Sequence, residues 1–377
     1  MIQTDQAALQ YSHRLEKQIK ANMVANDSKL SFVEFMQQAL YTPGLGYYSA
    51  GSRKFGPGGD FITAPELGSL FAKCLATQIA EILSQINAQT ILEFGAGSGQ
   101  LAVDILSALA THNIAVEQYL IVELSADLRL RQQEKIWQEY PQFKHIVQWL
   151  DYLPSNLNAV IIANEVLDAM PVARFYFMND QLQEYFVTVD NDRFVFCLDA
   201  PSTELQTTFI QNNIAAYISQ PYTSEINLLL PAWCKSVANC LHRGVVIICD
   251  YGFPRAEYYH PQRDTGTLMC HHQHRSHSNP LCNIGLQDIT AHVDFTALAE
   301  AMSESGFDIA GYTNLASFLL NCDLLSFAHT PTFQQAHELN TLTSPAEMGE
   351  LFKCMGFVKG SDLELRGFAR YDKSHTL

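Results

Sequence analysis

The stretch ILEFGAGSGQLAVDIL limits the possible folds more than any other part of this chain. Ile91 to Phe94 read as a buried strand, the chain turns through Gly95-Ala96-Gly97-Ser98-Gly99, and helix-forming residues follow at once. Glycine allows the backbone to turn sharply and lets a ligand approach it closely at the start of the helix. A dinucleotide fingerprint, GxGxxG, would need its third glycine at position 100. That position is Gln100, so the pattern is GxGxG, preceded by the acid Glu93.

The segments beyond Thr90 fit the frame this turn implies. TILEF, YLIVEL, HIVQWL, AVIIAN and GVVIICD are short, apolar and rich in β-branched residues, and amphipathic stretches separate several of them. Near-continuous apolar strands alternating with helices predict a parallel sheet covered on both faces, an α/β doubly wound, Rossmann-like fold. The expected division is a helical and glycine-rich segment over 1–70, the first half of the core over 71–171, an α+β insertion over 172–243 and the second half of the core over 244–377. In the first segment, Ser31 and Glu34 form a capping box, Leu30 and Phe35 a hydrophobic staple, and the helix ends near Tyr41. A second helix is expected from Thr63, with Thr63 and Glu66 as its capping box. The insertion opens with ARFYFMND, QLQEYFVTV and DRFVFCL, turning at Asn179-Asp180 and Asp190-Asn191-Asp192, and two helix-like stretches complete it. After Asp250 a His-rich loop is expected, then a helix from Phe295 to Ser305 and strands near Ile309 and Phe352.

Composition narrows the partners. The 377 residues carry 23 basic and 39 acidic side chains, a net charge of −16. Such a surface repels a phosphate backbone and suits a basic partner. No run reaches the roughly 20 apolar residues of a membrane helix. MIQTDQAALQYSHRLEKQIK is neither a secretory signal nor an Arg- and Ser-rich transit peptide. Nine irregularly spaced cysteines without a CxxC pair read as reduced thiols, and the expected location is the cytoplasm.

The turn and the next strand together point to a nucleoside cofactor. YLIVEL ends at Glu123, 24 residues past the last glycine. A carboxylate at the tip of the second strand is placed to accept ribose hydroxyls. Leu124 follows it, and Asp151, after the third strand, is placed to meet an adenine amino group or serves only as a turn residue. The acid–x–GxGxG pattern resembles the first motif of class I methyltransferases.

GLGYY, FGPGGDFITAPELGSLFA, ANEVLDAMPVARF, ICDYGFP, GTLMCHHQHRSHSNPL and DITAHVDFTALA are similar to the MidA-like methyltransferases. That family includes the mitochondrial complex I assembly arginine methyltransferase. The resemblance runs from about Gly44 to Lys359 and implies a class I methyltransferase sheet with S-adenosylmethionine (SAM) as cofactor, and the missing transit-peptide pattern points to a bacterial member. It implies arginine on a protein as acceptor, and a segment around GDFITAPE folded over the methionine end of SAM. Asp60 would then meet the cofactor's ammonium group, with Thr63 beside it. The chain departs from the mitochondrial pattern at Ala96 and Ser98. The expected cofactor contacts are Asp60, Thr63, Glu93, Gly95, Ala96, Gly97, Gly99, Glu123, Leu124, Asp151 and Asn164. A homodimer is allowed; nucleic acid and membrane are not expected partners.

Methyl transfer to arginine sets its own demands. A guanidinium with a pKa of about 12.5–13.8 has no free lone pair, so carboxylates must hold it and localise its charge. Such groups belong at the carboxyl ends of the strands. AVIIANEVLDAMP supplies Glu165 and Asp168, three apart on one face if the turn is helical. The plainer reading is a helix start, with Asn164 as N-cap and acids in its first turn. Asp250 in ICDYGFP is a third catalytic candidate, or else caps the turn before Gly252. Cys270, His271, His272, His274 and His277 fit no standard zinc spacing, so no metal is expected. A substrate-facing loop is expected there instead, with His274 able to pass a proton.

Other readings keep part of this picture. A SAM-binding assembly protein with little turnover would tolerate loss of Glu165 and Asp168. A small-molecule methyltransferase shares the cofactor site. A nucleic-acid methyltransferase is disfavoured by the acidic charge and by NEVL where an NPPY-type motif would stand. An NAD enzyme is disfavoured by Gln100.

Overall fold

The computed structural model describes residues 6–24, 27–49 and 63–377. The glycine-rich stretch before Thr63, with Asp60, lies outside the described residues. Apolar runs become the strands of a mixed sheet: β1 (Thr90–Phe94), β2 (Gln118–Val122), β3 (Val147–Leu150), β4 (Leu157–Asn164), β5 (Leu241–Phe253), β6 (Asp308–Asn314) and β7 (Phe352–Lys359). Their order is β6-β7-β5-β4-β1-β2-β3. From β3 to β5 neighbours run parallel, and β7 is antiparallel to both β5 and β6. The sheet is α/β and doubly wound as expected, with antiparallel strands at one edge.

These strands read as continuous apolar runs because both faces are covered. Val160 and Ile162 of β4 and Val245 and Ile247 of β5 enter one core with the helices Leu70–Ile86 and Gln100–Thr111. Ala159, Ile161, Val246 and Ile248 enter the other, against the helices Leu230–Cys240 and Phe295–Glu304. The order reverses between β1 and β4, which opens a crevice at the carboxyl ends of the strands. Register aligns Phe94 with Ala163, and Asn164 with Cys249, so the segments after β1 and β4 and residue Asp250 share one edge.

The insertion forms an antiparallel sheet from Ala173–Met178, Gln181–Asp190, Arg193–Asp199 and Tyr222–Ile226. Its first two connections are tight turns, with Asn179, Asp180, Asn191 and Asp192 all at positive φ. A short strand, Lys29–Ser31, pairs with Gln181–Asp190 and ties the N-terminal part to this sheet. Ser31 and Glu34 make the expected capping box of the helix Phe32–Tyr41. Leu30 and Phe35 are both buried. No helix among the described residues is long and apolar enough to cross a membrane.

Three local expectations fail. The helix expected from Thr63 is two helices, Ala64–Leu67 and Leu70–Ile86, and Thr63 makes no side-chain cap. The break is set from far along the chain: Glu338 accepts from the Leu70 amide at 2.6 Å, and a side chain at Gly68 would strike its carboxylate. No helix starts at Asn164, because Glu165 adopts a left-handed φ of 52°. The His-rich loop is a β-hairpin, Met269–His272 paired with Arg275–His277, and Met269–His272 also pairs with Asp288–Thr290.

Candidate active site

The edge where the sheet order reverses opens into a cavity of about 620 Å³. Its floor is the glycine turn. Gly95, Gly97 and Gly99 all have positive φ, which only glycine adopts without strain. The Gly95 amide donates to Val122 O at 2.9 Å, joining the turn to β2. Ser98 Oγ donates to Glu66, the residue expected to cap its own helix. Gly95, Ala96 and Gly97 line the cavity, whereas Gly99 starts the next helix and faces Gln132.

Glu93 and Glu123 also border the cavity. Glu93 is 2% exposed and accepts from Tyr119 Oη at 2.8 Å. Burial pushes its carboxyl up to about 7, against that hydrogen bond. Glu123 accepts from the Ser125 amide at 2.9 Å and from Gln132 Nε2 at 3.0 Å. A carboxylate oxygen can accept more than one hydrogen bond, so this residue type suits ribose hydroxyls. Leu124 lies against the cavity and is 80% exposed.

Gln132 gives no sign of itself in any motif, yet it is fully buried. Its Nε2 donates to Gly97 O at 2.9 Å as well as to Glu123, and its Oε1 accepts from Trp149 Nε1 at 2.8 Å. One amide therefore fixes the glycine turn, the acid after β2 and strand β3. Asp151 does not reach the cavity; it is exposed and pairs with Arg129 at 2.5 Å.

The carboxyl ends of β4 and β5 build the acidic wall. Asn164, Glu165 and Asp168 line the cavity. Asn164 Nδ2 donates to Glu165 Oε1 at 3.1 Å, while Asn164 Oδ1 is buried without a partner among the described residues. Asp250 lies beneath. It is fully buried, and its Oδ2 accepts from the amides of Val166, Leu167 and Asp168 at 3.1, 2.9 and 3.4 Å. Its Oδ1 accepts from the Tyr251 amide at 2.9 Å. Asp250 thus caps the turn from below and does not border the cavity, which places it behind the acids rather than among them. Burial drives all three carboxyls upward: Glu165 to about 8, Asp250 to about 7 against its amide bonds, and Asp168 well above its usual range.

The opposite wall comes from segments remote in sequence. Tyr41 and Tyr48 stack at 5.5 Å; Tyr41 Oη donates to Ala169 O and Tyr48 Oη to Asp288 Oδ1, each at 2.9 Å. Asp288, Trp233, Tyr251, His271 and His292 complete it. His274 does not; it sits at the hairpin tip with a left-handed φ of 59°. Neither Lys nor Arg occurs among the described residues that line the cavity. Among the described residues, no group of three His, Cys, Asp or Glu side chains is placed to hold a metal ion.

The residues fit a SAM-sized nucleoside with a cationic end. A left-handed glycine turn leaves the floor open, Glu123 offers acceptors for ribose hydroxyls, and the orphaned Asn164 Oδ1 suits an ammonium donor. Comparison with known proteins agrees. Residues 74–313 match a family described as S-adenosyl-L-methionine-dependent methyltransferase. The crystal structure of a Burkholderia thailandensis protein bound to S-adenosyl-homocysteine (SAH) is 40% identical, covers 99% of each chain and superimposes with a TM-score of 0.94. Protein arginine methyltransferase NDUFAF7 of Danio rerio is 24% identical, over 92% of this chain and 87% of its own length. The Rattus norvegicus protein of that name is 26% identical, over 87% and 81%.

Proposed function

Since the chain belongs to this MidA-like family of SAM-dependent methyltransferases, we propose that it methylates the guanidinium group of arginine on a protein. The observation that carries this reading is the set of acids lining the cavity, Glu165 and Asp168 on one wall and Asp288 on the other, with no lysine or arginine among the described residues that line it. Burial and then repulsion between the acids hold the Glu165 and Asp168 carboxyls up in pKa, and an entering guanidinium would favour their ionised forms. A planar fork of donors matches two fixed acids better than the point charge of lysine. The relatives' names, at 24–26% identity, point the same way. The nine free cysteines support a cytoplasmic setting.

Bound SAM supplies a methyl group made electrophilic by its sulfonium. The residues of the chain do the rest. Glu165 and Asp168 hold the acceptor cation and give up protons as it enters. Asp250 fixes the turn that carries them through the amides of Val166, Leu167 and Asp168. Tyr41, Tyr48 and Trp233 exclude water from the acceptor side.

The test compares methylarginine sites by mass spectrometry in cells with the gene, without it, and carrying Glu165→Gln or Asp168→Asn. Sites are expected to vanish with the gene and to stay depleted with either variant, while calorimetry shows SAH affinity retained. A charge-assisted hydrogen bond of about 1.5–3 kcal/mol corresponds to a roughly 10- to 100-fold loss of turnover. Unchanged methylarginine without the gene refutes the reading.

A further inference from the structure

Methyl transfer to a guanidinium must dispose of one proton, and the residues named so far are badly placed to keep it. Asp250 is committed to four backbone amides. Glu165 and Asp168 face a product that is still a cation, and a proton on either would remove half the charge that holds it. His274 is remote at its hairpin tip. His272 Nδ1 is bonded to Leu286 O at 2.6 Å, and His271 is engaged by its neighbours.

His292 differs from these. Along 288–294, Ile289, Ala291 and Val293 are buried in alternation, so the period of two turns Thr290 and His292 to the cavity, where both are found. The Ala291 amide donates to Asp168 O at 2.9 Å, which ties this segment to the acidic turn. The His292 amide is held by Thr267 Oγ1 at 3.0 Å. Its ring lies parallel to that of Tyr251, with 12° between the planes, and is 5.2 Å from that of Phe253. The imidazole thus lies among aromatic rings, 6.3 Å from the centroid of Tyr251 and 5.2 Å from that of Phe253. Yet Nδ1 is buried with no hydrogen-bond partner among the described residues. A buried ring nitrogen without a partner is costly in a finished protein wall, and a ligand in the cavity could supply the partner.

We propose that His292 is a catalytic base of this methyltransferase, receiving the proton that the acceptor nitrogen loses. The inference rests on the arginine reading above. As the acceptor nitrogen forms its bond to the methyl carbon, the carbon–sulfur bond breaks and its electron pair stays on sulfur, leaving a neutral thioether. The nitrogen's proton passes to the imidazole and from there to water. Burial, with the charges of Arg263 and Lys353 adding to it, lowers the imidazole pKa to about 4, so the ring stands neutral and ready at pH 7. A weak base suffices, because the nitrogen becomes strongly acidic as its bond to carbon forms.

The experiment uses the purified full chain, methyl-labelled SAM, and a lysate of cells lacking the gene as acceptor pool. His292→Ala and His292→Gln are compared with wild type for methylarginine formation, SAH affinity by calorimetry and thermal melting. Both variants are expected to bind SAH within about twofold of wild type and to form methylarginine roughly 100-fold more slowly at saturating SAM. Added imidazole should restore part of the rate to His292→Ala and none to His292→Gln. Rates matching wild type overturn the assignment, as does a loss that tracks SAH affinity and ignores imidazole. If His292→Ala melts early, His292→Gln, closer in volume, decides by its rate against its SAH affinity. Wild-type enzyme that labels no arginine refutes the arginine reading itself, whereas labelled arginine with unaffected variants refutes only the base.

Discussion

Replacing Gln132 by Glu tests how the cofactor site is held together. The side chain keeps its shape and its acceptor for Trp149, but an oxygen now stands where Nε2 was, 2.9 Å from Gly97 O and 3.0 Å from Glu123 Oε2. Two ionised carboxylates cannot share that contact, so one must take a proton. At pH 7, protonating a group of ordinary pKa about 4.3 costs about 4 kcal/mol. The new hydroxyl recovers one of the two lost hydrogen bonds, and the other costs about 1 kcal/mol. The protein should therefore lose about 5 kcal/mol at pH 7, lowering Tm by roughly 6 °C, and only about 1 kcal/mol near pH 4.5. Because the same amide fixes the glycine turn and Glu123, SAH affinity at pH 7 should fall at least about tenfold and recover toward pH 5. Thermal melting and calorimetry across that range provide the assay. A Gln132→Glu protein that melts with wild type and binds SAH as tightly at pH 7 would show that Gln132 does not organise the site.

Other outcomes follow from the same geometry. Gly95→Val places a β-branched residue at φ 63°, with its Cβ 3.2 Å from Val166. It should cost about 2 kcal/mol or more and abolish SAH binding by calorimetry; tight binding would deny the turn its role. Stability should fall as pH rises from about 4.5 to about 8. Glu93 and Glu165 keep their protons in the folded state, to about 7 and about 8, after the unfolded chain has lost them. For Glu93 alone the rise from 4.5 corresponds to about 3 kcal/mol, and a flat or rising denaturation profile over that window would contradict it. His274→Gly relieves a left-handed backbone, so it should stabilise by up to about 1 kcal/mol and leave methyl transfer unchanged, and a loss of turnover would return that histidine to the site.

The sequence disclosed those features that depend on neighbours along the chain. The strands of the core sheet stand out because burial on both faces makes each a continuous apolar run. The glycine turn is legible because its backbone needs glycine, and the acids of NEVLD because they directly follow a strand. Features set by distant contacts stayed hidden. Glu338 breaks the helix after Gly68 from the other end of the chain. Asp250 looked like a third catalytic acid because nothing local shows that three amides after β4 point at it. Two signals were available and missed. Gln132 stands between Leu128 and Ile136 at four-residue spacing, a polar residue on a buried helix face. His292 shares its side of an alternating strand-like run with Thr290, whereas the dense histidines of 271–277 drew attention to His274.

We propose that SAM and an arginine meet in the cavity beside the glycine turn. The most direct measurement is to incubate the purified chain with methyl-labelled SAM and proteins from cells lacking the gene, hydrolyse them to amino acids and identify the labelled species. Label is expected in methylarginine, dependent on the enzyme and lost with Glu165→Gln. Label in methyl-lysine, in small molecules or in nucleic acid, or label in methylarginine that Glu165→Gln does not diminish, would contradict it.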